Sequence, residues 1–262
     1  MDKQFLDGAA LILGASSGFG EAAALELSAS GMDIIGVHLD RKGTLPNVER
    51  IVAEIEKKGR RALFFNVNAA SAEKRNEVLD TLEAEQMTVR VLLHSLAFGS
   101  LKPLIAETER KAISQSQMEM TLDVMANSLV YWTQDLLRRQ LFDRGGRIFC
   151  LTSAGGSRVW PSYGAVSAAK AAIECHVRQL ALELGPYEIS VNSIRAGVTD
   201  TPALRKIPGN EEMIRMAKGK NPWGRLTTPE DVAGVIALLS HEKANFVTGN
   251  VIGVDGGEFI VD

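Results

Sequence analysis

The stretch LILGASSGFGEAAALEL, residues 11–27, decides the fold class. Its apolar run ends at Gly14, two more glycines follow at Gly18 and Gly20, and a helical pattern begins there. Glycine lets the backbone approach a bound group closely, and the first turn of a helix offers free N–H donors and a partial positive charge. The stretch therefore predicts a pyrophosphate-binding turn, although a glycine-rich turn needed only for packing stays open.

Outward from this stretch, apolar runs alternate with amphipathic ones along the chain. The apolar runs are nearly continuous, as in parallel strands covered on both faces. This alternation predicts a single doubly wound α/β domain over residues 1–262, with a mainly parallel seven-stranded sheet and helices on both faces. Predicted strands cover 9–14, 33–39, 61–67, 89–97, 147–153, 189–194 and 250–255. Predicted helices cover 18–30, 46–58, 71–86, about 109–141, 161–185 and 228–240.

The composition argues against several function classes. The formal charge is −3, which does not favour nucleic acid as a partner. Cys150 and Cys175 are too few for a disulfide framework and lie in apolar patterns, so we expect two buried, reduced thiols. The N-terminus lacks a signal-peptide pattern, and no apolar run approaches the roughly 20 residues of a membrane helix. We expect a soluble, cytoplasmic protein without a membrane segment or a metal site.

Residues 198–224, VTDTPALRKIPGNEEMIRMAKGKNPWG, interrupt the strand–helix rhythm. The segment follows the sixth predicted strand and is punctuated by prolines and by Gly209. In such folds, long loops at the carboxyl ends of strands commonly bind ligands. The sequence therefore predicts a substrate lid over 198–224.

The stretch LTSAGGSRVWPSYGAVSAAKAAIE, residues 151–174, holds Tyr163 and Lys170. Seven residues are nearly two helical turns, so the two side chains would share a face of one helix. Compared with a spacing of four residues, a spacing of seven places the phenol about 4.5 Å further from the lysine along the helix axis. In ketone reduction the carbon that receives the hydride also bears the oxygen. In conjugate reduction of an enoyl thioester the developing charge lies two carbons further along, so a tyrosine that is set back suits enoyl reduction.

The glycine spacing, Tyr163, Lys170 and the ending VTGNVIGVDGG (247–257) resemble the short-chain dehydrogenase/reductase family over essentially the whole chain. The resemblance implies a Rossmann-like fold and a nicotinamide cofactor, with adenine held after the third strand and the HSLA turn (94–97) beneath the cofactor. The implied cofactor contacts are Gly14, Ser16, Ser17, Gly18, Phe19, Gly20, Asn66, Val67, Ser95, Leu96, Ala97, Lys170, Val198 and Thr201.

The end of the second predicted strand, GVHLDRKG (36–43), bears on the choice of cofactor. NAD-specific relatives place an acid there to bind the ribose hydroxyls, and His38 occupies that position. A 2′-phosphate favours a guanidinium such as that of Arg41, so we predict NADPH, with NADH possible. The alternative is that Asp40, Arg41 and Lys42 form only a solvated turn.

The Tyr-x6-Lys spacing is similar to that of the enoyl-acyl-carrier-protein reductases of bacterial fatty-acid synthesis, as are LLHSLAF (92–98) and LTSAGGSRVWPSY (151–163). Ser153 departs from the tyrosine that many of those enzymes carry. The resemblance to their NADPH-using subgroup implies that Tyr163 stabilises the enolate and that Lys170 binds the ribose. Ser153 would contact substrate or cap a helix, and Asn127 would order a water near the lysine.

The same resemblance suggests partners and an assembly. The substrate would be an enoyl thioester on acyl carrier protein or coenzyme A, and the protein would be a homotetramer. An excess of bases on the predicted lid suits an acidic carrier, or is an ordinary solvated helix face. Residues for an acyl channel, or for the core of the lid, are Trp160, Leu204, Ile207, Met213, Ile214 and Met216.

Two rival functions stay open. A carbonyl reductase or hydroxysteroid-type dehydrogenase of the same superfamily would need a tyrosine where Val166 stands. A non-catalytic, nucleotide-binding redox sensor would have no use for the set of Asn127, Ser153, Tyr163 and Lys170. His94 is an acid/base candidate by residue type, but its place in the turn beneath the cofactor predicts a structural role.

Overall fold

The computed structural model describes residues 6–262. Within that range seven strands form one sheet in the order β3-β2-β1-β4-β5-β6-β7, and every neighbouring pair is parallel. The strands are β1 Ala9–Leu13, β2 Asp33–His38, β3 Ala62–Asn66, β4 Val89–His94, β5 Phe142–Ser153, β6 Ser190–Ala196 and β7 Val251–Val254. The predicted single-domain, doubly wound, Rossmann-like sheet is confirmed.

Helices cover both faces of this sheet, and each face has its own apolar core. They are α1 Gly18–Ala29, α2 Leu45–Glu56, α3 Ala72–Ala84, α4 Gln115–Leu122, α5 Ser128–Arg138, α6 Gly164–Leu184, α7 Asn210–Lys220 and α8 Pro229–Ser240. Strands β1 and β4 are almost fully buried, which explains their nearly continuous apolar sequences.

The long helix expected over 109–141 differs most from the prediction. It begins at Gln115, because Ser114 and Gln117 form a capping box that ends the preceding loop. A π-helical turn, Asp123–Asn127, then separates α4 from α5. Periodicity cannot reveal such a turn, because one inserted residue barely changes the apolar pattern.

Two further predictions are corrected. The helix expected from 161 begins at Gly164, so Tyr163 is its N-cap residue and does not lie on the helix with Lys170. Cys150 is buried, but Cys175 is exposed, because it lies on the outer side of α6. Among residues 6–262, no helix is long and apolar enough to span a membrane.

Candidate active site

The sheet reverses its strand order between β1 and β4. The chain runs outward from β1 through β2 to β3, and then returns to place β4 on the other side of β1. The loops at the carboxyl ends of β1 and β4 therefore diverge and leave a crevice, which is where doubly wound folds bind ligands. Most of the predicted site residues lie around this crevice.

The glycine turn after β1 has no room for side chains. Gly14 has φ +93°, and a Cβ there would lie 2.6 Å from the carbonyl oxygen of Ser95. A Cβ at Gly20 would lie 1.9 Å from the Gly14 carbonyl oxygen. Ser17 is the extended N-cap of α1, so the first N–H groups of that helix open onto the turn. This cradle fits the pyrophosphate of a dinucleotide, with Ser16 and Phe19 completing the turn.

The turn after β4 and the loop after β6 flank the glycine turn. The Ser95 N–H donates to Leu13 O at 2.8 Å, which brings 95–97 beside the end of β1. Thr201 is buried beside the glycine turn, and a Cβ at Gly18 would lie 3.4 Å from its methyl group. The Val198 N–H, expected to hold the carboxamide, donates to the Glu258 carboxylate at 3.1 Å.

The ends of β2 and β3 are joined by side chains that the sequence did not pair. The Asn66 amide accepts from Asp40 N–H at 2.9 Å and donates to Asp40 O at 3.0 Å, so it braces the loop after β2. Burial acts to raise the Asp40 pKa, but hydrogen bonds from Ser16, Thr44 and His38 hold it below its usual value. An ionised carboxylate thus lies against the glycine turn.

The cofactor side of this loop is completed by two predicted residues. The Val67 N–H donates to His38 O at 2.8 Å, and the Val67 side chain packs on the core as that of Leu96 does. Arg41 is exposed immediately after Asp40. The structure thus gathers the adenine-side candidates at one end of the crevice.

Tyr163 is aimed by an unusual backbone. Ser162 has φ +62°, a left-handed conformation that costs a non-glycine residue roughly 1–2 kcal/mol. The tyrosine ring packs on Gly155, where a Cβ would lie 2.6 Å from Cε1 of the ring. Burial raises the pKa of Tyr163, and a side-chain hydrogen bond with Ser153 opposes the increase. Ser153 Oγ also accepts from Gly155 N–H at 3.3 Å, so it caps this turn and contacts the tyrosine.

Lys170 is buried on α6, and its Nζ donates to Leu151 O at 2.6 Å. Burial lowers its pKa to about 8, although the nearby Cys150 and Glu174 act in the opposite direction. Only 4% of Val166 is exposed, and it fills the position where a spacing of four would place the tyrosine. A proton-donating group is therefore absent from that position of the helix.

The π-helical turn is held from two sides by histidines. Ser128 Oγ donates to Val124 O at 2.8 Å and therefore accepts from His94 Nε2 at 2.8 Å. Burial lowers the pKa of His94 to about 3, so it stays neutral, in keeping with its predicted structural role. Asn127 Oδ1 accepts from His176 Nε2 at 3.0 Å. Asn127 is thus fixed on the turn beside α6, the helix that carries Lys170.

Sequence reasoning missed Ser128, His176 and Glu258. Ser128 lies 34 residues from His94, and Glu258 lies 60 residues from Val198, so local periodicity could not pair them. The only sequence feature that could have indicated these residues is their position. Ser128 directly follows Asn127, and Glu258 directly follows VDGG (254–257). Among residues 6–262, no group of three or more His, Cys, Asp or Glu side chains could hold a metal ion.

Known proteins are similar to this chain in sequence. Residues 14–258 match the sequence model of a family described as enoyl-(acyl carrier protein) reductase. The chain is 31% identical to the NADH-dependent enoyl-[acyl-carrier-protein] reductase FabI of Nostoc sp., over 89% of this chain and 88% of that protein. It is 32% identical to the 3-oxoacyl-[acyl-carrier-protein] reductase FabG of Aggregatibacter actinomycetemcomitans, over 94% and 97% of the two chains.

A solved structure agrees with the sequence comparisons. The Bacillus cereus enoyl-acyl carrier protein reductase, crystallised with NADP⁺ and indole naphthyridinone, superposes with a TM-score of 0.88 at 26% identity, covering 99% of both chains. The glycine cradle, the switch-point crevice and the buried lysine therefore lie in a fold shared over its whole length. The chain belongs to the enoyl-(acyl carrier protein) reductase family within the short-chain dehydrogenase/reductase superfamily, and is an NAD(P)H-dependent oxidoreductase.

Proposed function

We propose that this protein is an NADPH-dependent enoyl-thioester reductase of fatty-acid elongation. One observation carries the proposal. The buried phenol of Tyr163 lies seven residues before Lys170, while the apolar Val166 fills the position nearer to the lysine. The phenol, as the hydrogen-bond donor, is therefore further from the lysine than in a ketone reductase with a spacing of four, at the position where the oxygen of a conjugated thioester would lie.

The chain's own groups divide the work. Tyr163 hydrogen-bonds the thioester oxygen and stabilises the negative charge that develops there. Ser153 orients the phenol, and its hydrogen bond makes the phenol a stronger donor because it acts to lower the pKa of Tyr163. Lys170, when protonated, adds positive charge beneath the site and offers N–H donors to a ribose. Asn127 holds the π-helical turn in place beside that lysine.

The glycine turn, Ser95–Ala97 and Thr201 would hold the dinucleotide. The chemistry that a reduced nicotinamide supplies when bound is a hydride. Arg41 is exposed at the end of β2 and would bind a 2′-phosphate bidentately, whereas the Asp40 carboxylate is engaged by Ser16 and His38. The related Bacillus cereus structure holds NADP⁺, whereas the Nostoc relative is named for NADH, so the choice rests on Arg41.

Measuring dinucleotide binding tests the choice of cofactor. Arg41→Ala should weaken NADPH binding about tenfold or more, because it removes a charge-assisted bidentate contact, and should leave NADH binding unchanged. The exposed Lys42→Ala, one residue away, is the matched control. Equal affinity of the Arg41 variant and the control for NADPH would contradict the assignment.

The segment 198–224 is proposed as the substrate lid. Trp160 Nε1, on the loop that leads to Tyr163, donates to Pro208 O at 2.9 Å, so the segment contacts the tyrosine loop. Arg205 and Arg215 pair with Asp200 and Glu212, which reduces the positive charge available to an acidic carrier. The acyl chain would lie against the apolar side of this lid, with either acyl carrier protein or coenzyme A outside.

Parallel assays test the function. We expect wild-type protein to turn over crotonyl thioesters with NADPH and to reduce simple ketones far more slowly. Tyr163→Phe should lower kcat by about two to three orders of magnitude with little change in KM, because it removes an interaction made in the transition state. The exposed Tyr187→Phe is the matched control. Full activity of the Tyr163 variant would end the proposal.

A carbonyl reductase is the second candidate. It is favoured by the similarity to the 3-oxoacyl reductase of Aggregatibacter actinomycetemcomitans and by Ser153, which departs from the tyrosine of many enoyl reductases. Ketone turnover by wild-type protein at a rate equal to that with enoyl thioesters would favour it over the first.

A further inference from the structure

The C-terminal segment, residues 255–260, follows β7 and contacts the loops around the candidate active site. The ring of Phe259 contacts two guanidinium groups, with Arg195 Cζ 3.7 Å and Arg158 Cζ 4.5 Å from its centroid. Arg158 Nη2 also donates to Phe259 O at 2.5 Å. Arg195 lies on β6, and Arg158 lies on the loop that ends at Tyr163. One aromatic ring thus joins the tyrosine loop to the sheet.

The same segment holds both ends of segment 198–224. At its start, the Glu258 carboxylate accepts from Val198 N–H at 3.1 Å. At its end, Asn221 Nδ2 donates to Asp255 O at 2.9 Å. The tyrosine loop and the two ends of the proposed lid therefore converge on six consecutive residues, although about 100 residues separate Arg158 from Phe259 along the chain.

The ring contributes more than contact area. Arg195 Nε is buried, has no hydrogen-bond partner among the described residues, and lies 3.8 Å from an Asp255 carboxylate oxygen. Stacking on Phe259 is therefore a main interaction of this guanidinium.

We propose that Phe259 is a positioning residue that holds the proposed lid against the loop that bears Tyr163. Phe259 acts through Arg158 and Arg195, and Glu258 carries the same constraint to the start of the lid. The tyrosine has its own anchor in Ser153, and Lys170 has its own in Leu151 O. Loosening the segment should therefore weaken substrate binding more than it slows the chemical step.

Limited proteolysis with trypsin tests the proposal without any substrate. Arg205 and Lys206 are exposed in the lid, and the rate of cleavage there, followed by mass spectrometry, reports how often the lid opens. Phe259→Ala should raise that rate about tenfold, the factor expected for losing two cation–π contacts of moderate strength. Phe259→Tyr should restore it, because a phenol ring stacks equally well. Ile260→Ala, at a neighbouring side chain that is 83% exposed, is the control and should behave as wild type.

Kinetics provide the second readout, which rests on the proposed function. Phe259→Ala should raise KM for an enoyl thioester about tenfold and change kcat less than about threefold. Arg158→Gln, at an exposed side chain, should shift both readouts in the same direction and is informative even where Phe259→Ala fails to fold. If wild-type protein turns over no enoyl thioester, the proposed function fails and proteolysis still decides the inference. Cleavage rates in Phe259→Ala and Arg158→Gln equal to those of Ile260→Ala would overturn it.

Discussion

Replacing Lys170 by methionine should separate stability from activity. The ammonium is buried, and burial lowers its pKa from 10.5 to about 8. Since a tenfold change in an equilibrium constant corresponds to about 1.4 kcal/mol, keeping this lysine charged at pH 7 costs the native state about 3 kcal/mol. Methionine carries no charge, so it does not bear that cost, although it also loses the hydrogen bond to Leu151 O. We therefore expect the variant to lose turnover, and its free energy of unfolding to lack the pH dependence that Lys170 gives to wild type.

The pH dependence gives this prediction its sign. Native protein releases the Lys170 proton near pH 8, whereas the unfolded chain keeps it until about 10.5, so the unfolded state binds more protons between those values. The free energy of unfolding of wild type should therefore rise with pH across this window. Relative to Lys170→Met, it should increase by about 2.5 kcal/mol between pH 7 and pH 10.

Urea unfolding at several pH values, at one fixed protein concentration, measures this difference. Groups that titrate in both proteins largely cancel when the two curves are subtracted. Lys57→Met, at an exposed lysine, is the control and should run parallel to wild type. Parallel curves for Lys170→Met as well would refute the reasoning, because they would show that burial does not depress the pKa of this lysine.

Three further predictions concern glycines and the tyrosine pair. Gly20→Ala should abolish dinucleotide binding measured by fluorescence, because its Cβ would lie 1.9 Å from Gly14 O; retained affinity would contradict the cradle. Gly234→Ala, in α8 with no atom within 4 Å of the new Cβ, should keep that affinity and raise the free energy of unfolding by about 0.5–1 kcal/mol in urea titrations; a loss of stability would show that the site is not open. Ser153→Ala should shift the alkaline limb of the kcat–pH profile to higher pH, because it removes the hydrogen bond that acts to lower the pKa of Tyr163. A limb that stays at the same pH or shifts to lower pH would exclude that coupling.

The architecture was predictable because its signals are local. Continuous apolar runs mark strands that are buried on both faces, and glycines between a strand and a helix mark a close backbone approach. The position of the glycine turn at the carboxyl end of the first strand follows from these runs, whereas the order of the strands in the sheet was seen only in the structure. The spacing between Tyr163 and Lys170, which carries the proposed reaction, is likewise written in the chain.

Tertiary structure decided what those residues touch. The left-handed backbone at Ser162, which places Tyr163 at the helix N-cap, has no signature in residue type. Phe259 could not be paired with Arg158 from sequence, because such contacts depend on how distant segments pack and not on the pattern around either residue. Periodicity records which side of an element is buried, whereas the partner of each side chain is settled only when the whole chain has folded.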